Sequence, residues 1–141
     1  MKKEDYVSLE TAKKLKEKGF NEYCEAYYHL NTDKDSTEEE CFGIAPSKDF
    51  KNSNNKYRVG APTLYQAQNW LIERGYFVQV EAQKEPISFS RLIWTFSIID
   101  LRNGNIVSWK LYSSSPQSFN NKQEALDAGI YSAVNLFMLA A

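Results

Sequence analysis

Arg91-Leu-Ile-Trp-Thr-Phe-Ser-Ile-Ile-Asp-Leu101, then Arg102-Asn103-Gly104-Asn105, then Ile106-Val-Ser-Trp-Lys-Leu-Tyr112 is the stretch on which the fold turns. Two runs rich in β-branched and aromatic residues flank Asn-Gly, the dipeptide favoured in two-residue type I′ hairpin turns. A two-residue turn sets Arg102 opposite Asn105; counting back sets Ile98 opposite Trp109 and Phe96 opposite Leu111. Those pairs match apolar with apolar, while Ser97 meets Lys110 and Thr95 meets Tyr112 on the opposite face. A one-residue slip would scramble both faces, so turn and alternation agree on one register. Leu92, Trp94, Phe96, Ile98, Val107, Trp109 and Leu111 form the expected core face, with Ile93 and Ile99 turned away from it.

Working outward, Tyr76 to Ala82 alternates as a strand, with Tyr76, Val78, Val80 and Ala82 on one side. Before it, Thr63 caps a helix whose stripe is Leu64, Ala67 and Leu71, flanked by Trp70 and stopped by Gly75. Gln66 stands three residues after Thr63, the capping-box spacing. After the hairpin, Ser118 or Asn120 caps a closing helix with Leu126, Ile130, Ala133, Val134 and Phe137 on one stripe. Gly129 lies on or beside that stripe, where glycine costs about 1 kcal/mol against alanine; close packing against the sheet is the expected reason. At the other end, Ser8 caps a short helix that Gly19 ends, and Cys24 to Leu30 alternates as a half-buried strand. Cys24, Ala26, Tyr28 and Leu30 share its inner side, and Glu25, Tyr27 and His29 its outer side.

From Asn31 to Arg58 the chain turns polar. Asp33 to Glu40 carries five acids against one lysine, and Lys48 to Arg58 four bases against one acid. Cys41 to Ile44 is apolar enough for a short strand, and Lys51 to Lys56 reads as a mobile loop. The sum is an α+β fold: a largely antiparallel sheet of four to five strands, with three helices packed mainly on one face. The 141 residues read as a single domain, residues 1–141, with a flexible polar loop at about 31–58.

Composition narrows the function. A net charge of −1 from 17 basic and 18 acidic residues lacks the basic excess of a general nucleic-acid binder. Met-Lys-Lys-Glu-Asp leads into no apolar stretch, so no secretory signal is expected. Ala133 to Ala141, interrupted by Asn135, is about half the length a bilayer span needs. No membrane association and a cytoplasmic location follow, with Cys24 and Cys41 as free thiols. These two cysteines and the lone His29 fall short of the four ligands a zinc site normally uses. Gly-x-Ser-x-Gly, Gly-x-Gly-x-x-Gly and the phosphate-binding Gly-Lys-Ser/Thr are all absent from the sequence. One histidine allows at most one catalytic triad. No catalytic residue, metal or cofactor is therefore expected.

Nine tyrosines, eight phenylalanines and three tryptophans leave room for an interaction surface. Tyr65, Trp70 and Tyr76, beside a groove between the second helix and the polar loop, are the candidate binding residues. The outward isoleucines of the hairpin, or the closing helix, suit a homodimer. The alternative is a nucleic-acid-binding accessory factor, with Arg91, Lys110 and Tyr112 near one sheet face and aromatics available to stack bases.

Ser8 to Asn21, Cys24, Ala61-Pro-Thr-Leu64, Gln68-Asn-Trp-Leu71 and Glu124-Ala-Leu-Asp-Ala-Gly129, in that order, resemble a group of small proteins encoded by phages and prophages of gut Bacteroidetes. The matching motifs are caps, stripes and stops. The chain departs from that pattern at Glu73-Arg-Gly-Tyr76, in place of a histidine-containing turn, and in a longer segment from Asp33 to Lys56. The group carries no known catalytic residue. The resemblance implies a phage or mobile-element accessory protein; the expected role is a noncatalytic interaction module, with a second copy or a phage or host protein as partner.

Overall fold

A computed structural model describes residues 2–30, 37–45, 50–52, 57–84, 92–107 and 118–140, without the side chains of 39, 40 and 137–140. The class is α+β, and its strands divide between two antiparallel sheets, of three strands and of two. The chain forms two compact units, Met1–Ala67 and Gln68–Ala141.

In the first unit, a 3-10 turn at Lys3–Asp5 precedes helix α1, Leu9–Glu17. Ser8 caps α1 as the sequence predicts, its hydroxyl accepting from the Thr11 N–H at 3.3 Å. Strand β1, Ala26–His29, is central, between β2, Phe42–Ile44, and β3, Arg58–Gly60. The one-turn helix α2, Glu38–Cys41, leads into β2. Helix α1 packs against β3. Buried beneath are Val7, Leu15, Phe20, Ala26, Tyr28 and Val59. The Tyr28 hydroxyl donates to the Val7 carbonyl at 2.7 Å, so this inward tyrosine satisfies its polar tip. Tyr6 also lies inward, donating to Glu25 at 3.2 Å; burial, then Glu25, pushes its phenol up to about 12.

Part of the polar segment is structured rather than mobile. Phe50 pairs with Cys24, and Asn52, expected in a loose loop, is buried. The Asn52 amide donates to the Phe20 carbonyl at 2.9 Å and accepts from the Gly60 N–H at 2.7 Å. A run of asparagines reads as loop by composition, yet one of them supplies the donor and acceptor that two buried backbone groups require.

Helix α3, Leu64–Glu73, crosses from the first unit into the second. Thr63 caps it, accepting from the Gln66 N–H at 3.0 Å. The Gln66 side chain does not return to close a capping box; it donates to the Tyr23 carbonyl at 2.8 Å.

In the second unit, β4, Tyr76–Lys84, pairs with β5, Leu92–Asp100, in an unbroken antiparallel register from Tyr76 opposite Asp100 to Lys84 opposite Leu92. Helix α4, Lys122–Ala140, lies against both strands. Asn121, not Asn120 or Ser118, caps it, its side-chain oxygen accepting from the Glu124 N–H at 2.8 Å. Gly129 has the expected reason: a β-carbon there would collide with Val78 and press on Phe96.

The hairpin after β5 departs from its predicted register. Asp100 donates its N–H to the Asn105 carbonyl at 2.9 Å, and Ile98 accepts from the Val107 N–H at 2.8 Å. The loop is thus four residues, Leu101 to Gly104, and Ile98 neighbours Val107 rather than Trp109. The cause is Asp100. Its carboxylate accepts from the Arg102 N–H at 2.9 Å, and its carbonyl from the Gly104 N–H at 2.7 Å. This side-chain turn stabilises a longer loop, with Gly104 at φ 76°. The shift is two residues, so the facing parity is preserved. Trp109, Lys110, Leu111 and Tyr112 lie outside the described residues, as does Arg91.

The core face is also redistributed. Phe96 and Ile98 are buried as expected, whereas Leu92 and Val107 are exposed. Ile93, read as outward, is buried, as are Thr95 and Ser97 beside it. Alternation predicts one buried face; the middle of β5 has both faces covered.

Candidate binding face

The outer face of β1 carries the chemistry that the first unit leaves accessible. Tyr27 and His29 point outward, as the alternation from Cys24 to Leu30 requires. Tyr27 stands opposite Gly43 on β2 and Gly60 on β3, and His29 stands opposite Arg58. A β-carbon at Gly43 would lie 3.1 Å from the Tyr27 ring, so the tyrosine covers the space the glycine leaves. The Arg58 guanidinium sits 4.6 Å from the Tyr27 ring centre, within cation–π range. The His29 ring meets the Tyr27 ring edge-on at 5.1 Å, and Phe50 adds a third ring at 5.5 Å. Beyond Phe50, the Lys51 ammonium lies 4.3 Å from the Tyr23 ring. Tyr57, 75% exposed, stands next to Arg58. The result is a strip of rings and cations in which Arg58, His29 and Phe50 gather on Tyr27, followed along the chain from Phe50 by the Lys51–Tyr23 pair.

Such a strip offers planar apolar area and donors. Tyrosine and arginine combine contact area with few rotamers to freeze, which makes both common at interface centres. The Cys24 sulfur, which a β-carbon at Gly60 would meet at 3.0 Å, lies behind this face. Cys24 is buried, and burial followed by Glu22 pushes its thiol up to about 12, so it stays protonated at neutral pH. Cys24 and Cys41 are both free and buried. Among the described residues no group of three or more His, Cys, Asp or Glu is placed to hold a metal ion.

The residues singled out in the sequence fall elsewhere. Tyr65 on α3 is 77% exposed, but Trp70 is 2% and Tyr76 8% exposed. Each buried ring is capped by an arginine. The Arg74 guanidinium lies 3.8 Å from the Trp70 ring, one helical turn on, and Arg102 donates to the Tyr76 hydroxyl at 3.3 Å. Trp70 and Tyr76 are therefore core residues with polar lids, and only Tyr65 presents its ring. The loop segments expected to wall a groove with them, 31–36, 46–49 and 53–56, lie outside the described residues. Alternation did place Tyr27 and His29 outward together. It could not place Arg58, which reaches Tyr27 only because β3 pairs with β1 from far along the chain.

Comparison of the chain with protein-family models, curated proteins and solved structures gives no match. Among the described residues no helix is long and apolar enough to cross a membrane.

Proposed function

We propose that this chain is a noncatalytic protein-interaction module whose working face is the ring-and-cation strip on the outer side of β1. One observation carries the reading: on the outer side of β1 the Arg58 guanidinium and the His29 and Phe50 rings gather on Tyr27, whose ring covers Gly43, and Tyr57, next to Arg58 in the chain, is 75% exposed. The protonated, buried Cys24 supports a noncatalytic role, and two free thiols suit a cytoplasmic setting. The resemblance to phage and prophage proteins supplies a biological frame, an accessory protein acting on a phage or host partner.

The test compares the wild-type chain with a Tyr57→Ala/Arg58→Ala variant as bait in a bacterial lysate, with retained proteins identified by mass spectrometry. Truncating a tyrosine or arginine at an interface centre costs about 2 kcal/mol, roughly thirtyfold in affinity. A partner held by the wild type and lost by the variant is expected; identical retention by both overturns the reading. Lys51 and Arg58 beside open rings favour one rival, single-stranded nucleic acid. Fluorescence anisotropy with single- and double-stranded oligonucleotides at two salt concentrations decides it, because phosphate binding weakens steeply with salt.

A further inference from the structure

We infer that the free edge of β4, from Val80 to Lys84, pairs with the same edge of a second copy of this chain. The orientation of the edge follows from one contact. Gln68 donates to the Val78 carbonyl at 2.7 Å and accepts from the Val78 N–H at 3.1 Å. Both Val78 backbone groups therefore point away from β5. Alternation along the strand gives Val80, Ala82 and Lys84 the same outward direction. Among the described residues these three have no backbone partner on that side. Residues 81–84 are exposed and Val80 is half-buried. The opposite edge of the sheet is closed: β5 bonds to Asn105, Val107 and Phe119.

Natural edges avoid pairing by being short, bulged, interrupted by proline or charged; the charges here, Glu81 and Lys84, are of opposite sign. Strand β4 has nine residues, no proline and no break in register. Its single amide bracket sits at Val78 and leaves the rest available.

A second copy fits because the segment complements itself about a two-fold axis at Ala82. Val80 then faces the partner subunit's Lys84, Ala82 faces the partner subunit's Ala82, and Glu81 faces the partner subunit's Gln83. No like charges oppose each other, and about six backbone hydrogen bonds form. Two registers toward the start of the strand fail. An axis at Glu81 sets two carboxylates face to face, which is destabilising. An axis at Val80 directs the partner subunit's Ala82 onto Val78, whose groups Gln68 already holds.

The experiment is sedimentation velocity on the full chain over a wide concentration range. The wild type is expected to form a species of twice the chain mass. Ala82→Pro removes one outward N–H and projects a ring from the edge, yet costs no bond to β5, so the fold should persist by circular dichroism. Dimerisation should weaken at least about tenfold. Should Ala82→Pro fail to fold, Ala82→Lys decides, since it sets lysine against lysine at the axis. A wild type that stays monomeric at hundreds of micromolar overturns the inference, as does a folded edge variant that dimerises normally. The Tyr57→Ala/Arg58→Ala variant should dimerise like the wild type. Loss of the dimer there would assign self-association to the strip instead, separating this inference from the proposed function.

Discussion

Strand β1 has four residues and pairs with three-residue neighbours on either side, whereas β4 and β5 face each other over nine residues each. Ladders as short as those of the first sheet gain little against the entropy of ordering the chain. Side chains supply what the ladders lack. Tyr28 is fully buried and tied to Val7, Phe42 packs on Tyr6 and Tyr28, and Asn52 joins Phe20 to Gly60. The second sheet rests on its own ladder and on α4, and its side-chain amide satisfies only one edge residue. The contrast teaches that both sheets use the same device, an amide bracketing backbone groups, to different ends. In the first it completes a buried site; in the second it marks where an exposed edge begins.

The largest test of this contrast is Tyr28→Ala. Removing a fully buried aromatic ring costs about 4 kcal/mol. The loss should appear as a large fall in urea midpoint, with the first sheet's amides exchanging early. A loss under about 1 kcal/mol would show that the short ladders hold by themselves. Asn52→Ala comes next. It strands the Gly60 N–H in a buried site and takes one donor from the Phe20 carbonyl, at about 2 kcal/mol. Hydrogen exchange should report the loss of protection at Gly60 before neighbouring β3 amides. Gln68→Ala is the counterpart in the second sheet and should cost less, about 1 kcal/mol, because the Val78 groups it uncovers lie next to an exposed edge. Faster exchange at Val78 with the β4–β5 ladder still protected is the expected signature. Equal losses for Asn52→Ala and Gln68→Ala would erase the distinction drawn between the two brackets.

Local signals in the sequence located much of this architecture. Ser8 and Thr63 cap their helices, the alternation from Cys24 to Leu30 sorts inner from outer side chains, and Gly129 sits where α4 meets Val78 and Phe96. What composition obscured was chemistry acting across the chain. Asn52 looks like a loop residue until Phe20 and Gly60 are brought beside it. Ile93, Thr95 and Ser97 alternate with a buried face and are buried as well. The candidate site was legible only in part. Tyr27 and His29 follow from alternation, but the Arg58 contact depends on the pairing of β1 with β3. Trp70 and Tyr76 were drawn toward function by residue type, when an arginine lid lets each remain in the core.

Asp100 is where the second sheet does depend on a side chain, and it gives the smallest and most specific test. Asn103-Gly104 by itself favours a two-residue turn, but the Asp100 carboxylate accepts from the Arg102 N–H, Nε and Nη2, each at 2.9 Å. These bonds, the side-chain ones first, hold its carboxyl below the usual carboxylate range. The folded chain thus favours the ionised form more than the unfolded chain does, where an aspartate titrates near about 3.9. The stabilisation is present above that unfolded value and is lost as pH falls through it toward the folded value. Asp100→Asn should therefore be less stable than the wild type at pH 7, and the gap should close as the pH drops through about 4 toward 2. Protection of the Arg102 amide should follow the same pH course, since its N–H donates to the Asp100 carboxylate. A gap of the same size at pH 7 and pH 2 would mean that the turn is set by shape alone, and that the four-residue loop owes nothing to the Asp100 charge.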